Sequence, residues 1–114
     1  MSTKKGQEAE ERASTYLKKH GYSIIGRNMR LARGELDIVA TKKALLVFIE
    51  VKSRQHHDDA LLSLTPQKCR RIKSAAQAFL VKHRQWQQHQ CRFDAILIAP
   101  DIENGIEHLE DILH

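Results

Sequence analysis

The chain has 114 residues, of which 41% are hydrophobic and 29% are charged. This length suits one domain covering residues 1–114, and it can enclose a hydrophobic core without disulfides or metals. No apolar run approaches the roughly 20 residues that span a bilayer, and the first eight residues lack the apolar stretch of a signal peptide. We therefore expect a cytoplasmic protein that does not enter a membrane.

The net charge and the cysteine content indicate which binding partners, disulfides and metal sites to expect. Nineteen Lys and Arg against fourteen Asp and Glu give a net charge of +5, which favours nucleic acid as a partner, although many basic proteins bind no polyanion. Cys69 and Cys91 form no CxxC motif and no disulfide framework, so we expect both to be reduced and structural. No histidine and cysteine combine at zinc-ligand spacing, so we expect no zinc site.

The first half of the chain reads as one helix followed by strands. A helix is predicted over about residues 6–20, because Ala9, Ala13 and Leu17 recur at helical spacing and Gly21 is a stop signal. The first strand is predicted to begin with residues 22–25. The second is predicted over residues 35–40 and the third over residues 44–53. Their short connections predict an antiparallel meander.

The sequence of the second half of the chain predicts a long helix between polar segments. Residues 55–59 are polar and are predicted to form a mobile loop. Thr65 is a natural N-cap and Pro66 fits a first helical turn, so a helix is predicted from there to about Arg84. A further strand is predicted over residues 92–99, and residues 106–113 read either as an edge strand or as a final helical turn.

These elements give the order α-β-β-β-α-β. A strand, a crossover helix and a further strand usually lie parallel in one sheet. The third strand is then central, which explains its apolar run. We expect a mixed sheet flanked by helices, of the α/β or α+β class.

Acidic residues interrupt the second and third strands. Side chains alternate along a strand, so Glu35 and Asp37 are predicted to share one face. Glu50, Lys52 and Arg54 likewise share one face of the next strand. If the hairpin closes normally, Asp37 and Glu50 lie on neighbouring strands, and a divalent cation would offset their repulsion and lost hydration.

Other interpretations of these acids stay open. Lys52 could neutralise one carboxylate, or the face could be solvated, as one face of many antiparallel sheets is. Phe48 lies on the same face as Glu50, which favours a face that is at least partly covered. Glu10 lies near the inward stripe of the first helix, so it could join the acids or lie at the solvent-facing flank.

The motifs "GELDIVA" and "EVK", followed by Arg54, resemble the signature of PD-(D/E)xK nuclease-like proteins. More narrowly, the chain is similar to the YraN family of bacterial predicted endonucleases, distantly related to archaeal Holliday junction resolvases. The similarity includes "GQEAEERASTYL", "GYSIIGRN", "VFIEVKSR", "TPQKCRRI", "AAQAFL" and "RFDAILI", and covers nearly the whole chain. It implies a restriction-endonuclease-like fold with the same α-β-β-β-α-β core.

The resemblance also implies a site. Its catalytic residues would be Asp37, Glu50, Lys52 and Glu10. Mg²⁺ or Mn²⁺ would be bound by Asp37, Glu50 and the main-chain carbonyl of Val51, and Lys52 would orient or activate the attacking water. Glu35 is expected to support the ligands. Ala9 stands where the family often has Gly, which leaves Glu10 intact.

The implied reaction is hydrolysis of a DNA phosphodiester bond, on branched or structured DNA in repair or recombination. The residues expected to contact nucleic acid are Arg27, Arg30, Arg33, Arg54, Lys68 and Arg71. One alternative is a nucleic-acid-binding module that keeps the fold with little or no catalysis, and another is a structural adaptor. Related resolvases are two-fold dimers, which suggests a homodimer here, and Asp94 is expected to be structural.

Overall fold

The computed structural model describes residues 4–113 as one five-stranded sheet with helices on both faces. The helices are α1 (Lys4–Lys19), α2 (His57–Leu62) and α3 (Pro66–Lys82). The strands are β1 (Ser23–Leu31), β2 (Gly34–Lys42), β3 (Leu45–Ser53), β4 (Gln90–Ile98) and β5 (Ile106–Leu109).

The strands lie in chain order, β1 to β5. The pairings β1–β2, β2–β3 and β4–β5 are antiparallel, whereas β3 and β4 are parallel. This arrangement confirms the predicted mixed sheet with β3 at its centre, and the α+β class. The predicted α-β-β-β-α-β core is present, with α2 and β5 added to it.

The central strand β3 separates two hydrophobic cores. Val47 and Ile49 pack in the core under α1, while Leu46 and Phe48 pack in the core under α3. All four side chains are at most 2% exposed. A strand buried on both faces reads as a continuous apolar run, which is the pattern seen in the sequence. Glu50 follows on the same face as Phe48, and it too is buried.

The two long helices begin and pack as the sequence predicts. Ala9, Ala13 and Leu17 bury the inner stripe of α1. At the start of α3 the hydroxyl oxygen of Thr65 accepts a hydrogen bond from the Lys68 amide at 3.1 Å, which is the expected N-cap contact. No helix among residues 4–113 is both long enough and apolar enough to cross a membrane.

The segment predicted as a mobile loop instead begins a short helix, α2. The prediction was wrong because tertiary contacts, which the polar sequence does not reveal, hold this helix. Ala60 is fully buried against Ala95 and Leu97 of β4, and the carboxylate of Asp101 accepts a hydrogen bond from the His57 amide at 2.8 Å. The ambiguous final segment forms the edge strand β5.

Candidate active site

Strands β2 and β3 separate at Asp37. Their ladder ends at the pair Ile38–Ile49, one residue before Asp37 is reached. Leu36 packs under α3 whereas Ile38 packs under α1, so these side chains point to opposite faces although they are two residues apart. Strict alternation, on which the predicted shared face of Glu35 and Asp37 rested, therefore fails here. Glu35 is exposed and Asp37 is half-buried.

The side chain of Asp37 occupies the place where the ladder stops. Its Oδ2 accepts a hydrogen bond from the amide of Val51 on β3 at 2.9 Å. The N–H and C=O of one strand residue point to the same edge. The carbonyl of Val51 therefore faces the same gap as Asp37, which is the placement that its predicted role as a ligand requires.

Glu50 and Lys52 form a largely buried ion pair beside this gap. Lys52 Nζ lies 3.2 Å from Glu50 Oε1, and the two side chains are 11% and 5% exposed. Asp37 lies close enough to this pair for the charge of Glu50 to raise the pKa of Asp37. The predicted proximity of Asp37, Glu50 and Lys52 is thus present, with Lys52 neutralising one acid.

The electrostatics of Asp37 follow from this crowding. Burial raises the pKa of Asp37 to about 7, helped by the charge of Glu50. The Val51 amide and the Lys52 ammonium oppose the shift but do not cancel it. The site therefore holds a proton easily near neutral pH, and a cation could replace that proton.

Glu10 approaches the acids from α1. It is 7% exposed, and its Oε1 accepts a hydrogen bond from Asn28 Nδ2 at 3.0 Å. Burial raises its pKa, the bond from Asn28 lowers it, and the charge of Asp37 raises it further. Of the two placements open from the sequence, Glu10 takes the inward one.

Asn28 is a residue that sequence reasoning missed. It lies in the quoted motif "GYSIIGRN", where no role was assigned to it. Its φ of 52° is in the left-handed region, which Asn tolerates better than most residues. This backbone conformation on β1 accompanies the bond to Glu10, and the Asn-Met step in the sequence gives little sign of it.

Two cavities open onto the acids. The larger holds about 370 Å³ and is lined by Glu10, Asp37, Glu50 and Lys52. The smaller holds about 220 Å³ and is lined by Asp37, Glu50 and Glu35. The acidic pair is therefore open to water and ions from two directions.

The predicted nucleic-acid contacts divide into two sets. Lys68 lines both cavities, Arg54 lines the larger one and Arg71 the smaller one. Arg27, by contrast, is paired with Glu11 at 2.8 Å.

The two remaining predicted contacts, Arg30 and Arg33, belong to β1 and to the turn that follows it. Arg30 lies opposite Glu35 in the β1–β2 register, and Arg33 is exposed in the turn that follows β1. Neither residue lines the two cavities. Lys5, which sequence reasoning also missed, does line the larger cavity.

The donor atoms suit a hard cation better than zinc. Within residues 4–113 no three His, Cys, Asp or Glu side chains converge as a ready metal site, so Glu10 does not complete one with the other acids. Asp37, Glu50 and the Val51 carbonyl offer only oxygen atoms. Mg²⁺ is commonly bound through one or two carboxylates while it keeps several waters, so the residues present fit it.

Asp94 belongs to a separate network. It is 1% exposed, and Arg92 donates to both of its oxygens, at 2.8 and 2.7 Å. His108 Nε2 lies 2.7 Å from Oδ2, and the Asp111 amide donates at 3.0 Å. These contacts join β4 to β5 and to the residues after β5, in keeping with the structural role expected for Asp94.

Fold and site together define a small α+β protein in which two carboxyl groups and a lysine meet where two strands of a mixed sheet separate. The sequence matches the model of the uncharacterised protein family UPF0102 over residues 9–98, which include Glu10, Asp37, Glu50 and Lys52. The chain belongs to this family. The membership confirms the resemblance to the YraN family that the motifs indicate.

Relatives in several bacteria carry the same family name. A UPF0102 protein of Rhodopseudomonas palustris strain BisA53 is 48% identical over 95 residues, 83% of this chain and 73% of that protein. One from Nitrobacter winogradskyi is 47% identical over 83% of this chain and 80% of its own length. One from Bradyrhizobium diazoefficiens is 45% identical over 83% and 71%.

Proposed function

We propose that this protein is a metal-dependent endonuclease that hydrolyses DNA phosphodiester bonds at the cluster of Asp37, Glu50 and Lys52. The observation that carries the proposal is that two carboxyl groups and one ammonium group line one cavity that is open to solvent, with the ammonium group paired to one of the acids. A sheet face with only a structural role gains no stability from two acids drawn together out of water.

The residues of the cluster have different roles in the proposed hydrolysis. Asp37, Glu50 and the Val51 carbonyl would hold Mg²⁺ or Mn²⁺. Such an ion, when bound, supplies Lewis acidity to the phosphoryl group and makes water easier to deprotonate. Lys52 provides a fixed positive charge for the scissile phosphate and a hydrogen-bond donor that orients the attacking water.

Glu10 and the cations around the cavity complete the proposed site. Glu10 is held by Asn28 and lines the same cavity as Asp37, and in this proposal it accepts a hydrogen bond from the attacking water. Lys68 and Arg54 border that cavity and would position the substrate through its backbone phosphates. Branched DNA with two-fold symmetry, the substrate that the resemblance suggests, would be matched by a homodimer.

A second candidate is a nucleic-acid-binding module with little or no catalysis. The contact between Lys52 and Glu50 favours it, because this ion pair already neutralises one of the two acids without a metal. The basic rim of the cavities would then bind phosphate, and the acids would only shape the fold.

Metal binding and DNA cleavage separate these candidates. We expect calorimetry to detect Mn²⁺ binding that Asp37→Asn abolishes and that the exposed-site control Asp59→Asn leaves intact. With Mg²⁺ or Mn²⁺, wild type should cut branched or linear DNA. Lys52→Ala should lose cutting by about 100-fold or more, as expected for removal of one electrostatic group that acts on the transition state, while Lys73→Ala should cut like wild type.

Each result decides between the proposals. Sustained DNA binding by a wild-type protein that never cuts would favour the binding module. Absence of both Mn²⁺ binding and salt-dependent DNA affinity would leave a structural adaptor, and both nucleic-acid proposals would then fail.

A further inference from the structure

A third cavity continues from the candidate active site along α1. It holds about 260 Å³ and shares four lining residues with the larger acidic cavity, which are Lys5, Ala9, Ser53 and Arg54. None of Asp37, Glu50 and Lys52 lines it. The two cavities are therefore neighbouring parts of one groove. We call the part without these acids the α1 groove, defined by Lys5, Arg12 and Arg54.

The α1 groove is positively charged. Lys5, Arg12 and Arg54 line it together with one acid, Glu8. Among residues 4–113, none of the three cations is within ion-pair distance of a carboxylate. Arg27, by comparison, is bound to Glu11. The charges of the α1 groove are thus available to an anionic ligand.

Two of these cations lie against the backbone. The Arg54 guanidinium donates from Nη1 to the carbonyl oxygen of Ser53 at 2.8 Å, which holds it at the junction of the two cavities. Arg12 lies against Gly105, where a Cβ atom would come within 2.7 Å of Arg12 Nη2. Gly105 has a φ of 77°, so glycine suits both the turn and the approach of Arg12.

We propose that the α1 groove binds the phosphate next to the scissile one on the same nucleic-acid strand, through Lys5, Arg12 and Arg54. The position of the scissile phosphate rests on the proposed function, whereas binding of a strand phosphate by these cations does not. The strand then runs from Asp37 and Glu50 along α1 toward the turn before β5. Arg27 and Arg30 on β1 lie outside this path.

The salt dependence of DNA binding tests the α1 groove without any need for cleavage. The probe is a fluorescent single-stranded oligonucleotide of about 12 nucleotides, a length that single-strand grooves hold, with EDTA present. Each phosphate contact on a single strand contributes about 0.7 to the slope of log K against log salt. The α1 groove holds one phosphate, so the exposed-residue variant Lys5→Gln/Arg12→Gln should show a slope less negative by about 0.7.

The matched control is Lys18→Gln/Lys19→Gln, which removes the same charge from the other end of the same helix. Its slope should equal that of wild type, and thermal melting should show that both variants fold. If Lys5→Gln/Arg12→Gln changes the slope no more than the control does, the α1 groove proposal fails, even where the protein cuts DNA. If the slope changes but no variant or wild type cuts, the groove stands and the nuclease proposal fails.

Inorganic phosphate separates a strand phosphate from free phosphate as the ligand. At matched ionic strength it should compete weakly with the oligonucleotide. If it binds the wild type but not Lys5→Gln/Arg12→Gln, while the salt slopes of the two proteins agree, the groove takes free phosphate only and the strand path is overturned.

Discussion

Lys52 Nζ and Glu50 Oε1 lie 3.2 Å apart with both side chains almost entirely removed from water. Asp37 brings a second carboxyl group to this pair, so two acids face one lysine, and burial followed by the charge of Glu50 raises the pKa of Asp37 to about 7. A proton corrects the imbalance in the free protein. A divalent cation would correct it in the same place, so stability and proposed function rest on one arrangement.

Removal of the lysine should expose this imbalance. Lys52→Met leaves Glu50 buried without its partner, and breaking a buried pair in this way costs about 3–5 kcal/mol of unfolding free energy. We expect that loss in denaturant melts near pH 8. Mn²⁺ should restore part of the stability, because it would then supply the missing positive charge.

The control for this change is Lys73→Met on the exposed face of α3, which should shift the unfolding free energy by no more than about 0.5 kcal/mol. A Lys52→Met protein as stable as wild type would show that solvent already screens the pair. A loss of stability that Mn²⁺ does not reduce would argue against a cation at Asp37 and Glu50.

The pKa of Asp37 predicts an unusual pH dependence for an aspartate. Its folded pKa of about 7 lies above the ordinary 3.8, so the folded state holds the extra proton between these values. Its contribution to stability is therefore full below about pH 4 and is lost as pH rises through about 7. In Asp37→Asn the side chain stays neutral at every pH, and its amide oxygen can still accept the hydrogen bond from the Val51 amide.

We therefore expect metal-free Asp37→Asn to melt well above wild type near pH 8, by at least the roughly 4–8 °C that about 1 kcal/mol gives. The difference should shrink as pH is lowered toward about 4. Melting curves across this pH range, with the exposed Asp59→Asn as control, check the sign of the difference in melting temperature between Asp37→Asn and wild type. A variant that melts below wild type at pH 8 would show that the Asp37 carboxylate is favourable even when ionised.

The elements that the sequence predicted well are those that local chemistry determines. Thr65 and Pro66 mark the start of α3, and the run from Leu46 to Ile49 marks the central strand. Helix α2 was missed because its six residues are too short for propensity to decide. It depends instead on the burial of Ala60 and on Asp101, which is distant in sequence.

The same division applies to the candidate site. Alternation along β3 and the hairpin before it were enough to bring Glu50, Lys52 and Asp37 together. The break in alternation at Asp37 was not predictable, since it depends on how β1, β2 and β3 meet. Lys5 was missed because its position beside the acids is set by the packing of α1 on the sheet, which is also a tertiary feature.

Asp94 should matter for stability and not for the proposed chemistry. Burial alone would raise the pKa of Asp94, but the hydrogen bonds from His108 and Arg92 outweigh it, and the pKa is lowered. Asp94→Ala leaves the Arg92 guanidinium without its buried partner, so we expect a loss of about 3–5 kcal/mol of unfolding free energy. The lowered pKa means that the contribution of Asp94 is present above about pH 4 and fades as pH falls further.

Denaturant melts at neutral pH measure this loss, with Asp59→Ala at an exposed position of α2 as the matched control. The Mn²⁺ affinity of the folded Asp94→Ala protein should equal that of wild type, because Asp94 lines neither cavity at the acids. A large fall in Mn²⁺ affinity at unchanged stability would contradict the separation of the two networks.

Helix α2 should loosen as pH rises, because His57 ties it to β5. His57 Nε2 lies 2.9 Å from Glu107 Oε1, and Nδ1 lies 3.2 Å from Asp58 Oδ1. The hydrogen bond with Glu107, followed by that with Asp58, raises the pKa of His57 above the ordinary 6.5. The ring can donate to both carboxylates only when both nitrogens carry protons.

A histidine whose pKa is raised by folding contributes stability that is fully present below about pH 6.5. This contribution is lost as the pH rises through the pKa of the folded state. Hydrogen exchange of the α2 amides, corrected for intrinsic rates, should therefore show less protection near pH 8.5 than near pH 6. His57→Gln should remove this pH dependence, whereas His20→Gln in the turn after α1 should keep it. Equal protection of wild-type α2 at both pH values would mean that the Asp101 bond and the burial of Ala60 hold the helix without help from the imidazolium.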